Sequence, residues 1–92
     1  MDSSKLKVLI RAVETATFSA AGEELGFTQA GVSYIIKTLE DELGIQLLIR
    51  GKKGVRLTQK GEALMEHVRN ADAAMDALLR RAEALKNAQT GR

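Results

Sequence analysis

Apolar residues recur along this chain at helical spacing in four stretches, and glycine or threonine marks the breaks between them. Leu6, Leu9, Ile10 and Val13 fall at i, i+3, i+4 and i+7, which makes one buried stripe on an opening helix. Ser3 or Ser4 is the expected cap, and the helix is expected to end between Thr15 and Thr17. Thr17 can cap a second, shorter helix with Phe18 just inside it. Ala20, Ala21 and Gly22 are small enough to let another helix approach, and Leu25 closes the apolar face. Gly26 stands where a helix end favours a residue free to take positive φ, and Phe27 is expected to plug the junction that follows. Thr28 can cap a third helix. In that helix Val32, Ile36, Leu39 and Leu43 lie on one side and should pack on the first two helices.

After Gly44 the period changes. Leu47 to Arg50 and Val55 to Thr58 are β-compatible runs, and Gly51-Lys52-Lys53-Gly54 between them is rich in turn residues. The expected element is a two-stranded hairpin. Thr58 can then cap a last helix running to about Asn87, with the chain from Ala88 to Arg92 frayed. Leu64, Val68, Ala71, Met75, Leu78, Ala82 and Leu85 form a heptad seam on that helix. Roughly 28 helical residues span about 42 Å, too long for so small a domain to cover. The seam therefore predicts a partner helix, and the alanines at 71 and 82 allow close approach. The chain reads as mainly α with a small β-hairpin. Residues 1–58 form a winged helix-turn-helix, and residues 59–92 form a long dimerising linker helix.

The segment from Thr17 to Leu43, helix then turn then helix, is a layout whose second helix can enter the DNA major groove. On that helix Gln29, Ser33 and Lys37 make a polar stripe with Tyr34 beside it, and no carboxylate falls on the stripe. The acids Glu40, Asp41 and Glu42 come only in its last turns, where a helix-face and capping role is expected of them. The formal net charge is a modest +2. Arg50, Lys52, Lys53 and Arg56, however, concentrate basic charge in one acid-free loop, so the rest of the chain is mildly acidic. A local basic cluster on a near-neutral body suits a localised anionic partner such as a phosphate backbone; the alternative is a solvated lysine-rich turn.

The candidate DNA contacts follow from these positions. Gln29 can bond adenine N6 and N7 as a bidentate pair. Thr28 and Ser33 can meet a phosphate or a base edge, and Ala30 lies between them in the first turn. Tyr34 can reach a phosphate through its hydroxyl or lay its ring on a thymine methyl, and Lys37 can reach a phosphate. Lys52 and Lys53 at the hairpin tip suit the minor groove or its flanking phosphates. Arg56 belongs to the same basic set. Arg50 does too, or it packs its stem at the base of the hairpin as a structural residue.

Other chemistries find no support. Without cysteine there are no disulfides or thiolate metal sites, and without proline no helix is broken. His67 is the single histidine and has no second ligand at metal-binding spacing, so no metal is expected. No Ser, His and acid grouping resembles a catalytic set, and no glycine loop cradles phosphate, so neither an enzyme nor a cofactor is expected. No apolar run approaches the roughly 18 residues that cross a bilayer, and Met1 to Ile10 lack a signal peptide's apolar core. A cytoplasmic protein without membrane contact is the default expectation.

Taken in order, these residues resemble the DNA-binding domain of LysR-type bacterial transcriptional regulators. The matching pieces are Phe18-Ser19-Ala20-Ala21, Leu25-Gly26, Thr28-Gln29, Val32-Ser33, Ile36-Lys37, Leu39-Glu40 and Glu42-Leu43-Gly44, then Leu47, Arg50, Val55, Leu57-Thr58 and Gly61. They run ungapped over about residues 5 to 68. The resemblance implies a winged helix-turn-helix and a linker helix that pairs antiparallel with its copy. It also implies two readers on one interrupted palindrome with a T and an A in its half-sites. Family members continue into an effector-binding domain, for which this chain has no room. A small-molecule effector is therefore expected only if the full protein carries a C-terminal domain. Some positions depart from the family pattern. Proline is common where Ala30 sits, alanine at Gly31, a polar group or arginine at Tyr34, a polar residue at Ile35 and phenylalanine at Leu48. Gly31 should cost about 1 kcal/mol of helix propensity relative to alanine. A second functional class stays open beside this one: a winged-helix interaction module whose long helix pairs with another protein and whose DNA contact is incidental.

Overall fold

The computed structural model describes residues 1–90. Four helices and one hairpin follow each other in the order α1 (Ser3–Thr15), α2 (Phe18–Leu25), α3 (Gln29–Leu43), β1 (Leu48–Gly51), β2 (Gly54–Leu57) and α4 (Gln59–Thr90). Each boundary has a local cause. Asp2 caps α1, its carboxylate accepting from the Lys5 backbone N–H at 2.9 Å. This displaces the expected cap one residue upstream of Ser3, because a carboxylate also gains from the positive helix end. Thr17 and Thr28 cap α2 and α3 through the N–H groups of Ala20 and Gly31, at 3.0 and 2.9 Å. Gly26 terminates α2 at φ 82°, a conformation that costs an L side chain about 1 kcal/mol or more.

The core lies where α1, α2, α3 and the first half of α4 meet. Leu6, Val8, Leu9, Ala12, Phe18, Ala21, Val32, Ile36, Leu39, Leu47, Leu48, Met65 and Val68 are buried. The α1 stripe is broader than its spacing suggested: Val8 and Ala12 are fully buried while Ile10 and Val13 are half-buried. A helix touched by α2, α3 and α4 together needs an apolar arc wider than one stripe. Two expected core positions are instead exposed. Leu43 is more than a third exposed, and so is Phe27. Phe27 closes the α2–α3 turn with its backbone, its N–H donating to the Gly22 carbonyl at 2.8 Å, rather than plugging it with its ring.

The hairpin is antiparallel, with Leu48 opposite Leu57, Ile49 opposite Arg56, Arg50 opposite Val55 and Gly51 opposite Gly54. Lys52 and Lys53 form its two-residue tip. Both of its strands are stitched to the body of the domain. Leu47 and Leu48 donate their N–H groups to Glu40 Oε2 at 2.7 and 3.2 Å. Val55 N–H bonds the Ala16 carbonyl at 2.8 Å. Thr58 then accepts from Gly61 N–H and donates to the Gln46 carbonyl, opening α4 against the hairpin. Gly61 is the close-approach point. A Cβ there would meet the Leu47 carbonyl oxygen.

At about 1.5 Å per residue, α4 spans about 48 Å, and the molecule measures 57 × 26 × 19 Å. The helix continues through 88–90, where fraying was expected; Gly91 and Arg92 lie outside the described residues. Lys7 on α1 clamps its first half, reaching Asp72 at 2.8 Å and Asp76 at 2.8 Å. Beyond Asp76 the helix leaves the domain, and Leu78, Leu79 and Leu85 are 68, 61 and 51% exposed. No helix among the described residues is long and apolar enough to cross a membrane.

Candidate nucleic-acid interface

Packing of Val32, Ile36 and Leu39 inward fixes which side of α3 faces out. The outward side carries Gln29, Ala30, Tyr34 and Lys37, all exposed, with Ser33 half-buried at its edge. Tyr34 is 71% exposed, so most of it is available for contact. Thr28 is exposed, but its oxygen is engaged by the Gly31 N–H. Lys37 is exposed and only loosely paired, with Asp41 one turn on at 3.8 Å. The other two acids at the end of α3 are drawn away from this face. Glu40 turns to the backbone N–H groups of Leu47 and Leu48. Glu42 pairs with the N-terminal ammonium at 2.7 Å, which with Lys5 holds its carboxyl below the ordinary 4.5. The result is an outward face of donors, hydroxyls and an aromatic ring with little negative charge.

The hairpin flanks this face. Lys52 and Lys53 project from its tip, exposed. Pleating divides the two arginines. Arg50 is opposite Val55, whereas Arg56 is opposite Ile49 one residue along, so they stand on opposite faces of the hairpin. The structure thus brings Arg50 to α3 and leaves Arg56 on the outer side. Arg50 lies with its guanidinium carbon 4.4 Å from the centre of the Phe18 ring, and its Nη2 donates to Ser33 Oγ. Ser19 Oγ donates to Gln29 Oε1 at 3.4 Å. Thr17, Phe18, Ser19, Gln29, Arg50 and Val55 share in lining a shallow cleft of about 170 Å³ between α2, α3 and the hairpin.

Sequence reasoning did not anticipate Phe18 as a platform or Ser19 as a partner of Gln29. The only signal was Ser19 two positions after the Thr17 cap, which does not by itself locate a residue ten positions on. Among the described residues no group of three His, Cys, Asp or Glu is placed to hold a metal ion. His67 instead borders a shallow apolar groove with Met1, Leu6, Leu43, Leu64 and Ala71.

The seven seam residues of α4 divide by position. Val68 is buried in the core of its own chain, and Leu64 and Met75 are half-buried against that core. Ala71, Leu78, Ala82 and Leu85 are exposed. The inner part of the heptad pattern thus serves intramolecular packing, and the outer part is uncovered. Ion pairs reinforce the inner part. Hydrogen bonds to Asp72 and Asp76 push the Lys7 ammonium above its ordinary 10.5. The Arg11 guanidinium, aided by Arg69 of α4, holds the Glu14 carboxyl below the ordinary 4.5.

Comparison with known proteins gives a consistent set of similarities. Residues 3–62 match the family model described as bacterial regulatory helix-turn-helix protein, lysR family. The chain is 41% identical over 91 residues to the HTH-type transcriptional regulator IlvR of Caulobacter vibrioides, covering 99% of this chain and 31% of IlvR. Among solved structures, the BenM_DBD/benA site 1 DNA complex aligns with a TM-score of 0.81 at 29% identity, covering 94% of this chain and 97% of that one. DarR of Vibrio fischeri in complex with DNA aligns with a TM-score of 0.87 at 26% identity, covering 95% of this chain and 30% of DarR. The chain therefore spans about a third of the length of the full regulators it matches.

Proposed function

Because the chain belongs to the lysR family of bacterial regulatory helix-turn-helix proteins, we propose that it reads duplex DNA as a homodimer on an interrupted palindrome and serves transcriptional control in the bacterial cytoplasm. The observation that carries this reading is the outward face of α3. Gln29, Ser33, Tyr34 and Lys37 are presented together there, with the lysines of the hairpin tip alongside. In this arrangement α3 enters the major groove and its first turn, Thr28 to Ala30, meets base edges and phosphates. Lys52 and Lys53 contact the adjacent minor groove or its phosphates. Phosphate contacts supply most of the affinity, and the few α3 side chains supply the preference among sequences. Solved complexes of BenM_DBD and DarR with DNA support the reading by similarity.

The second reader comes through α4. Leu78, Ala82 and Leu85 keep the heptad spacing where the helix has left its own domain, with Leu79 beside them and Ala71 exposed further in. A copy of the same helix covers that surface, joined at its inner end by the half-buried Leu64 and Met75. Pairing makes the second half-site an effectively intramolecular event, which raises affinity without a new contact. A small-molecule effector belongs to this reading only where the full protein continues into a C-terminal domain.

The test is selection of binding sites from random duplex DNA at near-physiological salt, using this chain. An interrupted palindrome is the expected product. Single half-sites would refute the dimer, and no binding at either low or near-physiological salt would refute DNA reading altogether.

A further inference from the structure

Arg50 acts on Ser33 in a way that has a chemical sense. A guanidinium carries donors only, so in the Arg50–Ser33 contact the serine oxygen accepts. The ring of Phe18 beneath Arg50, itself only 4% exposed, holds the guanidinium over α3. A hydroxyl has one hydrogen and two lone pairs. With Arg50 on the lone-pair side, the serine hydrogen is turned away from it. Two other hydroxyls on these helices spend their hydrogens on their own backbone: Thr15 bonds the Arg11 carbonyl and Thr38 the Ile35 carbonyl, both at 2.7 Å. Among the described residues Ser33 makes no such bond, although it sits inside α3 where one is available. Its hydrogen is left for whatever lies against the outer face of the helix. Gln29, one turn earlier, is biased the same way. Ser19 donates to its carbonyl oxygen, so the amide N–H groups are not spent on that contact.

We infer that Arg50 is a positioning residue that sets the hydrogen-bonding sense of Ser33, making it a donor toward DNA. Ser33 then engages an acceptor, which is a purine N7, guanine O6, thymine O4 or a phosphate oxygen. It favours such an acceptor over the amino groups of adenine and cytosine, which could meet only the one lone pair that Arg50 leaves. The wing thereby influences sequence preference from behind the recognition helix. The inference rests on the DNA-reading proposal above and adds to it which groups on DNA this position accepts.

The test uses the selected operator, this chain, and the variants Ser33→Ala, Arg50→Met and Arg50→Lys. Methionine keeps an apolar stem on Phe18 and deletes the donors; lysine restores one. Arg50 is exposed, so neither change opens the core. Duplexes carrying single 7-deazapurines or single methylphosphonates remove one acceptor at a time, from a base or from the backbone, and duplexes with a single base lacking its exocyclic amino group remove one donor. For the unaltered chain, one such acceptor deletion should cost about fivefold in affinity, the worth of one hydrogen bond. Ser33→Ala should show the same loss on the intact operator and no further loss on the deleted one. In Arg50→Met the penalty for that deletion should shrink toward unity, and in Arg50→Lys it should return. A penalty undiminished in Arg50→Met, or a Ser33→Ala loss matched only by removing an amino group, overturns the inference while DNA reading stands. Absence of binding to any duplex overturns DNA reading itself.

Discussion

Replacing Glu40 by alanine should loosen the wing from the recognition helix. Glu40 lies in the last turns of α3, and its carboxylate receives the N–H groups of Leu47 and Leu48 at 2.7 and 3.2 Å. Its carbonyl also closes the helix, accepting from Gly44 and Ile45 at 2.8 and 3.2 Å. Between Gly44 and Leu48, four backbone N–H groups thus end on this one residue. Alanine keeps the carbonyl and removes the carboxylate, stranding two backbone donors beside side chains that are 0 and 5% exposed. A hydrogen bond to a charged group contributes about 1.5–3 kcal/mol. Glu40 is half-buried and the second bond is long, so the lower end applies to each, and the pair is worth about 3 kcal/mol. For a chain of this size that lowers Tm by roughly 15 °C. Glutamine can place a neutral oxygen at the same point. Neutral acceptors are about half as strong as charged ones, so Glu40→Gln should lose about half as much. Urea denaturation followed by circular dichroism reads both variants, at one fixed protein concentration because self-association couples to stability. Alanine within about 1 kcal/mol of the unaltered chain, or glutamine no better than alanine, would refute the assignment of Glu40 as the anchor.

Gly61→Ala should destabilise by about 1–3 kcal/mol through collision with the Leu47 carbonyl, reversing the gain of about 1 kcal/mol that alanine brings to a helix; an unchanged or raised Tm would count against the close approach. Leu78→Asp with Leu85→Asp leaves the domain core untouched, since both side chains are exposed. It should yield a folded monomer by sedimentation, and a persistent dimer would mean that another surface pairs the copies. Glu14 titrates below its ordinary value because Arg11, then Arg69, bond its charged form. Its contribution is therefore fully present above about pH 4.5 and is lost as pH falls through the lowered value. Glu14→Gln should flatten the decline in denaturation midpoint from neutral pH toward about pH 3, most clearly at low salt; a decline parallel to the unaltered chain would refute the pairing.

Local order was legible in the sequence because its causes are local. The caps at Thr17, Thr28 and Thr58 and the helix end at Gly26 each depend on a single residue and the few N–H or C=O groups next to it. The hairpin was legible from its change of period and its turn residues, although the strands close one residue nearer the tip than their composition suggested. The inward stripe of α3 was equally plain, because 3.6-residue periodicity leaves Val32, Ile36 and Leu39 one side to occupy. Knowing that side also placed Gln29, Tyr34 and Lys37 on the other.

Tertiary structure alone decided the rest, wherever the deciding contact joins distant parts of the chain. Charge composition put Arg50 and Arg56 in one basic set; strand register separates them, sending one over Phe18 to Ser33 and the other outward. The heptad spacing treated seven α4 positions alike; docking of α4 on α1, with Lys7 reaching 65 and 69 residues ahead, takes Val68 into the core and leaves Leu78 and Leu85 uncovered. Glu40 read as one acid among three until the chain returned seven residues later with two N–H groups for it. Periodicity and capping specify which face of an element is apolar and where the element stops. Which of several similar side chains meets which neighbour depends on how the elements are set against one another, and no window along the sequence contains that information.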